Sequence, residues 1–291
     1  MFKALVHEIR LFLVAVQFLT RVPVPAWVGW REAWMPASMR HFPLVGALVG
    51  LWGTLVLVLA SWWWPPVVAV ILSIAATVWL TGGFHEDGWA DTCDGLGGAV
   101  TRDKALLIMK DSRLGTYGAL GLVLLLGLKA AVLTSLLTQR MSGLDSATAS
   151  HVQRVLLMWA GVGLVWAHAI SRLLPVVLTR VLPYAGDAEH AKAKPLALSV
   201  ARPQVWAAVL SLTVVAAGVV AWFWLGDWPL GTLAKAMGAS VLGVVLVGLW
   251  TAGWLKRRLG GFTGDTLGAS QQLSEVASLL AWLAVVHPVY L

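Results

Sequence analysis

The sequence predicts an all-α, polytopic integral membrane protein, a single membrane-embedded domain over residues 1–291 with about seven transmembrane helices and an N-terminal interfacial or re-entrant helix. Three observations predict it. Hydrophobic residues make up 59% of the chain and charged residues only 12%, with mean hydropathy +0.79, whereas soluble domains carry about a quarter charged residues. Long apolar runs divide the chain, most of them near the ~20 residues needed to cross ~30 Å of hydrocarbon. Basic residues collect in alternate connections between those runs, as the positive-inside rule requires.

The first apolar stretch, LFLVAVQFLT at 11–20, is too short to span, and with Lys3 and Arg10 before it resembles a signal peptide. It is followed by RVPVPAW, with no small-residue cleavage site. The segment is therefore expected to remain as a helix in or on the interface. Candidate spans follow at about 44–64, 66–81, 117–138, 155–179, 203–225, 233–255 and 276–291. The second and last are short, and either is open to a re-entrant reading. The single cysteine, Cys93, excludes an intrachain disulfide. The net charge of +7 fits cytoplasmic loops against anionic membrane lipid better than it fits nucleic acid. Trp30, Trp62, Trp63, Trp64 and Trp228 are expected at membrane interfaces.

If the segment before the first span is cytoplasmic, sixteen of the 21 Lys and Arg lie on that side. Arg140 and Arg154 lie on the other, and Lys129, Arg172 and Lys235 fall within spans. The loops 82–116, 180–202 and 256–275 then share the cytoplasmic face. One site can draw on all three.

The first of these loops opens with GGFHEDGWADTCDGLGG, residues 82–98, which concentrates acid in a chain that has little. Asp87, Asp91 and Asp94 are spaced i, i+4, i+7, so in a helix they share one face. Clustered carboxylates repel one another unless a cation sits among them, and no Lys or Arg occurs from Phe84 to Val100. A hard divalent ion such as Mg²⁺, held by one or two carboxylates together with substrate phosphate, answers that chemistry. The plain alternative is a solvated polar loop, which Gly88 and Gly95 favour by weakening a helix. IMKDSRLGTYG (108–118) offers Lys110 and Arg113 to phosphate oxygens, with Asp111 free to pair with either or to join the metal. In LKRRLGGFTGDTLGASQQLSE (255–275), Gly260, Gly261 and Gly264 suit an anion-binding backbone nest beside Lys256 and Asp265, with Glu275 further along. Within the spans, His168 and Arg172 share a helix face. Intramembrane arginine is costly and is usually paired or functional, whereas His168 reads as a packing residue. Lys129 has no sequence-local partner and implies an interhelical pair or snorkelling.

These three motifs, with FPLVGALVG at 42–50 and TRVPVP at 20–25, resemble the cobalamin synthase family, the adenosylcobinamide-GDP ribazoletransferases, in order and in spacing over nearly the whole chain. The resemblance implies a bacterial or archaeal cytoplasmic-membrane enzyme with its site on the cytoplasmic face. Such an enzyme joins adenosylcobinamide-GDP to α-ribazole or its 5′-phosphate, releases GMP and requires Mg²⁺. It implies His85 and Asp91 as catalytic residues, with His85 either a general base or an orienter of an aspartate. Asp87, Asp91, Asp94 and Asp265 are then metal ligands, and Lys110, Asp111, Arg113, Arg172 and Lys256 bind phosphate or substrate. Ser171–Arg172 matches a Ser-Arg pair of the family. Trp89 and Gln272 depart from the family pattern, where a smaller aliphatic residue and, in some members, Glu are expected. A homo-oligomer or a larger membrane biosynthetic complex is compatible with the sequence. Two rival classes are a CDP-alcohol phosphatidyltransferase, which would place Arg where Asp91 follows Ala90, and a secondary transporter, which would place its polar groups near mid-membrane.

Overall fold

The computed structural model describes residues 2–98, 101–138, 145–186 and 200–286, and among these the regular structure is helical, with one isolated bridge between Tyr184 and Phe262. Helix α1 (Phe2–Leu19) buries Leu11, Val14, Ala15 and Leu19 and leaves Leu5 and Ile9 exposed, the two-sided pattern of a helix lying on a bundle. Arg10 stacks between Trp27 and Trp34, 5.7 and 5.3 Å from the ring centroids, which fixes α1 to the turns that precede α2 (Met35–Ser38). The longer helices are α3 (Phe42–Ala60), α4 (Pro66–Thr81), α5 (Phe84–Gly98), α6 (Arg102–Met109), α7 (Thr116–Leu137), α8 (Ser146–Ser171), α9 (Leu173–Val181), α10 (Arg202–Leu225), α11 (Leu230–Leu259) and α12 (Gly264–Val286).

Among the described residues, five segments are long and apolar enough to cross a membrane: Glu32–Ala60, α7, Ser146–Val181, α10 and α11. A sixth is added if α4 and α5, bent by 91°, count as one broken span. This is fewer than the seven expected, for two reasons. The run 66–81 stops at Gly82 and Gly83, both in the left-handed region, and turns into α5 rather than emerging into a loop. The run 276–291 is the second half of a helix that begins at Gly264; residues 287–291 lie outside the described residues. The expected loop 256–275 therefore shrinks to the turn 260–263, and Gln271, Gln272 and Glu275, which made its second half look like a loop, are buried inside the bundle.

Helices α8 and α12 form the centre. In the α8–α9 segment 83% of the most apolar stretch is buried, against 22% in α10 and in α11, so the last two are peripheral and turn Trp206, Leu210, Leu246 and Trp250 outward. Such large exposed apolar faces suit hydrocarbon, not water. At the core Trp159 packs against Phe223 and Trp282, with centroids 4.9 and 5.8 Å away, and the Trp282 Nε1–H donates to the Trp159 carbonyl at 3.1 Å. The FPLVGALVG stretch is a helix-crossing motif. A Cβ at Gly46 would strike the His168 carbonyl and one at Gly50 the Val165 Cα, while the Thr54 hydroxyl donates to the Gly161 carbonyl at 3.0 Å. Small residues let α3 and α8 touch backbone to backbone, the usual device between helices that cannot rely on the hydrophobic effect. Between α8 and α9 the helix breaks at Arg172, three residues before Pro175, which has no N–H to bond back to Ser171.

One end of the bundle is tied together by arginines. Arg102 donates to the carbonyls of Leu259 (2.7 Å) and Ala185 (2.9 Å), and Arg258 donates to that of Leu96 (3.2 Å). Ala185 in turn bonds Phe262 at 2.8 Å. The described parts of the three motif-bearing connections therefore meet at this end; 187–199, which holds Lys192 and Lys194, lies outside the described residues, as does Arg140.

Candidate functional site

The acidic stretch is a helix. Gly83 caps it by accepting the Asp87 N–H at 2.8 Å, and Glu86 and Asp87 occupy its first turn, where acid suits the helix dipole. Its glycines, poor helix formers, serve close approach. A Cβ on Gly88 would lie 2.7 Å from the Asp265 carbonyl, and one on Gly95 would strike Met109 on α6. Gly88 thus lets the start of α12 come against α5 between Asp87 and Asp91.

The three aspartates do not have one environment. Both Asp94 oxygens are engaged: Oδ2 accepts the Gly115 N–H at 2.8 Å and Oδ1 the Gly118 N–H at 2.7 Å. Asp94 thereby holds the amino end of α7. Asp87 is exposed and Asp91 half-buried, and Asp265, also half-buried, stands at the first turn of α12. Among the described residues no three His, Cys, Asp or Glu side chains converge closely enough to hold a metal on their own. The donors on offer are hard carboxylate oxygens on adjoining helix ends, which fits a Mg²⁺ ion carried by one or two carboxylates with phosphate and water completing its shell. Cys93 packs on Gly121 of α7.

In the second motif, Arg113 pairs with Asp111 on the surface, Nη2 to Oδ2 at 2.6 Å. Those hydrogen bonds hold the Asp111 carboxyl below its ordinary range. Lys110 is exposed beside them. In the third, Lys256 is exposed on the last turn of α11. The expected anion nest is already in use. Gly260 is the left-handed cap of α11, and the Phe262 N–H goes to Pro183 (3.0 Å). The Thr263 N–H goes to the Thr266 hydroxyl (2.8 Å), while Thr263 Oγ1 accepts from Thr266 (3.3 Å), a reciprocal cap that starts α12.

A cleft of about 750 Å³ opens beside α5, lined by Gln17, Thr20 and Arg21 from the end of α1, by Glu86, Asp87 and Ala90 of α5, and by Leu114 and Leu122. Phe18 and Phe84, edge to face with centroids 5.4 Å apart, belong both to its wall and to that of a much smaller cavity lined by His85, Arg172, Gly264 and Gly268. His85 is only 4% exposed and Arg172 only 2%. Of the site residues expected from sequence, Asp87 therefore lines the open cleft, whereas His85 and Arg172 sit behind its aromatic wall.

Deeper still, eleven residues or about 16 Å along α12 from Gly264, Glu275 anchors a buried polar network. Its Oε1 pairs with Lys129 Nζ at 2.6 Å and its Oε2 with His168 Nδ1 at 2.9 Å. Gln271 Nε2 reaches Glu275 Oε2 (2.7 Å) and Ser171 Oγ (2.9 Å). Gln272 accepts from Lys129 at 2.6 Å and donates to Glu86 Oε1 at 2.9 Å. A proton on His168 Nδ1 serves Glu275, so Arg172 Nη1, 3.2 Å from the same nitrogen, takes the His168 carbonyl at 2.9 Å instead. Lys129 and Arg172 balance Glu275 and Glu86, as buried charges require.

The model of the family described as cobalamin-5-phosphate synthase matches residues 11–283. The chain belongs to this family. It is 56% identical to the adenosylcobinamide-GDP ribazoletransferase of Leptothrix cholodnii over 97% of each chain. It is 41% identical to that of a Polaromonas species, covering 94% of this chain and 95% of the relative, and 36% identical to that of Leptospira biflexa, covering 97% and 100%. No solved structure matches it.

Sequence reasoning passed over Glu86 and Gln271, named Gln272 only as a departure from the family pattern, and offered Lys129 an interhelical pair or snorkelling without naming the partner, which is Glu275. The signal for α12 was present in FTGDT, a hydroxyl cap with acid in the first turn. The signal for Arg21 was its place in the family-like TRVPVP stretch, where it was counted only as loop charge. Gln272, which departs from the Glu of some members, is here the link between Glu86 and the Lys129–Glu275 pair.

Proposed function

We propose that the protein transfers the adenosylcobinamide-phosphate group from adenosylcobinamide-GDP to α-ribazole or its 5′-phosphate, releasing GMP, as a late step of cobalamin synthesis. The observation that carries this reading is the shared name of relatives matched over more than nine-tenths of the chain. The site's chemistry supports it, since acid on α5 faces a cleft large enough for a nucleoside diphosphate moiety. A hydroxyl of the acceptor attacks the phosphorus on the cobinamide side, a P–O bond forms, and the bond to GMP breaks with its electron pair leaving on GMP. The hydroxyl proton passes to solvent. Such transfers depend on positioning and on stabilising charge at the transferring group.

One or two of Asp87, Asp91 and Asp265 would hold Mg²⁺ together with substrate phosphate and water, and the bound ion would neutralise phosphate charge during transfer. Asp94, engaged by two backbone N–H groups, contributes by fixing the 115–118 turn against α5. Lys110, Arg113 and Lys256 supply exposed positive charge near this end, which favours approach of an anionic donor. The basic asymmetry of the sequence supports a cytoplasmic face for this end, a bacterial inner-membrane location and contact with anionic lipid. Assembly as an oligomer or with neighbouring enzymes remains compatible with the exposed apolar faces of α10 and α11. The buried Lys129–Glu275 network lies deep, as a transporter's would, but Lys129, His168 and Glu275 are paired with one another inside the bundle, which favours the enzyme reading. Protein in nanodiscs given adenosylcobinamide-GDP, α-ribazole 5′-phosphate and Mg²⁺ should release GMP and form a cobalamin phosphate in equal amounts. Absence of GMP release from folded protein overturns the reading.

A further inference from the structure

We infer that Arg21 is the phosphate-binding cation of the cleft, holding the diphosphate of the donor from the side opposite Asp87; the inference rests on the transferase reading above. The cleft carries the exposed Asp87 on its α5 side, whereas Glu86 turns its carboxylate inward to Gln272, and the charged residue that lines the cleft just after α1 is Arg21. Among the described residues its guanidinium has neither an ion-pair nor a hydrogen-bond partner, although Asp87 lines the same space. The chain nevertheless builds a place for it. The Arg21 N–H donates to the Leu80 carbonyl at 2.7 Å, which ties the end of α1 to the end of α4. The guanidinium then lies over Gly82, where a Cβ would collide with Nε and Cζ.

The other candidate cations are placed differently. Arg172 is buried behind Phe18 and Phe84 and bonded to His168. Arg113 is tied to Asp111, Arg102 to two carbonyls, and Lys110 and Lys256 are not among the lining residues. A multiply charged phosphate group entering the cleft thus meets acid on one wall and a forked donor on the other. The forked donor matches phosphate oxygens in two parallel hydrogen bonds. The acid is neutralised only when a cation accompanies the phosphate. This suits a diphosphate carrying its counter-ion, a group that the donor always brings and that neither α-ribazole nor its 5′-monophosphate has, so Arg21 is assigned to the donor.

The test is steady-state kinetics of Arg21→Gln and Arg21→Lys in nanodiscs of phosphatidylcholine alone, with the oligomer profile and melting temperature as folding controls. Arg21→Gln should raise the donor KM about ten- to hundredfold and leave the acceptor KM within about twofold of the parent; Arg21→Lys should recover part of the loss. Inorganic diphosphate should compete with the donor, and its inhibition constant should rise in parallel in Arg21→Gln. Gly82→Ala, which displaces the guanidinium without removing it, should give the same donor-specific effect. An unchanged donor KM in folded, active Arg21→Gln overturns the inference. So does an effect seen only when anionic lipid is added to the discs, which assigns the guanidinium to a lipid headgroup. An inactive parent protein instead overturns the transferase reading.

Discussion

Lys129 Nζ lies 2.6 Å from Glu275 Oε1, joining α7 to α12 with side chains only 5% and 3% exposed. A surface pair of this kind would contribute about 0–1 kcal/mol, but removing one partner of a buried pair strands the other. Lys129→Met should therefore destabilise the protein by about 3–5 kcal/mol. The double variant Lys129→Met with Glu275→Gln should lose much less. Thermal unfolding of the four proteins in detergent reads the coupling directly.

Asp94 and Asp91, three residues apart on α5, should separate stability from turnover. Asp94→Ala removes the acceptor of two backbone N–H groups at the start of α7 and should cost about 1–2 kcal/mol. Asp91→Asn should instead abolish GMP release with the melting temperature little changed. EDTA should do the same to the parent protein, with Mg²⁺ restoring activity. Full turnover of Asp91→Asn, or turnover in EDTA, would sink the metal assignment.

Gly46→Val should push α3 off α8 at the point where Gly46 meets the His168 carbonyl. Overpacking of a close contact costs about 1–3 kcal/mol. The effect should exceed that of Gly127→Val, which has nothing within 4 Å of its added carbon; melting temperatures of the two variants make the comparison.

Asp145 caps α8, accepting from the N–H groups of Ala147 (2.9 Å) and Thr148 (3.0 Å) and from the Thr148 hydroxyl (2.7 Å). The Thr148 N–H is the main cause that holds its carboxyl below the ordinary 3.8. A carboxyl lowered by folding stabilises above its unfolded value and loses that contribution as the pH falls through the folded one. The melting-temperature gap between the parent and Asp145→Asn should therefore be full at about pH 6 and shrink below about pH 4. A gap that widened toward acid would contradict the cap.

The parts of this site that were legible in the sequence are those that local geometry dictates. Asp87, Asp91 and Asp94 keep the spacing of one helix face because the segment is a helix, and the convergence of three loops followed from counting charges. What was not legible depends on contacts between distant residues. Lys129 and Glu275 are separated by most of the second half of the chain, and no periodicity links them. Hydropathy misread the first half of α12, since buried Gln271, Gln272 and Glu275 look like loop residues until their partners are known. The glycines were read backwards: Gly88 and Gly95 signalled a weak helix, yet each makes room for a neighbouring helix. Gly261 signalled an anion nest, yet it gives way to the Pro183 carbonyl.

The right-angled step at Gly82 and Gly83 carries an implication for how this chain tolerates change. Both residues sit at φ near +70°, where a side chain is strained, and the first is also covered by Arg21. In a saturation library selected for growth that depends on the enzyme, Gly82 should be among the most depleted positions, with substitution at Gly83, whose added carbon meets only Val78 at 3.9 Å, penalised less. Such a pattern would mark two neighbouring glycines as constrained for different reasons, one by backbone geometry alone and the other by geometry and by the cation resting on it.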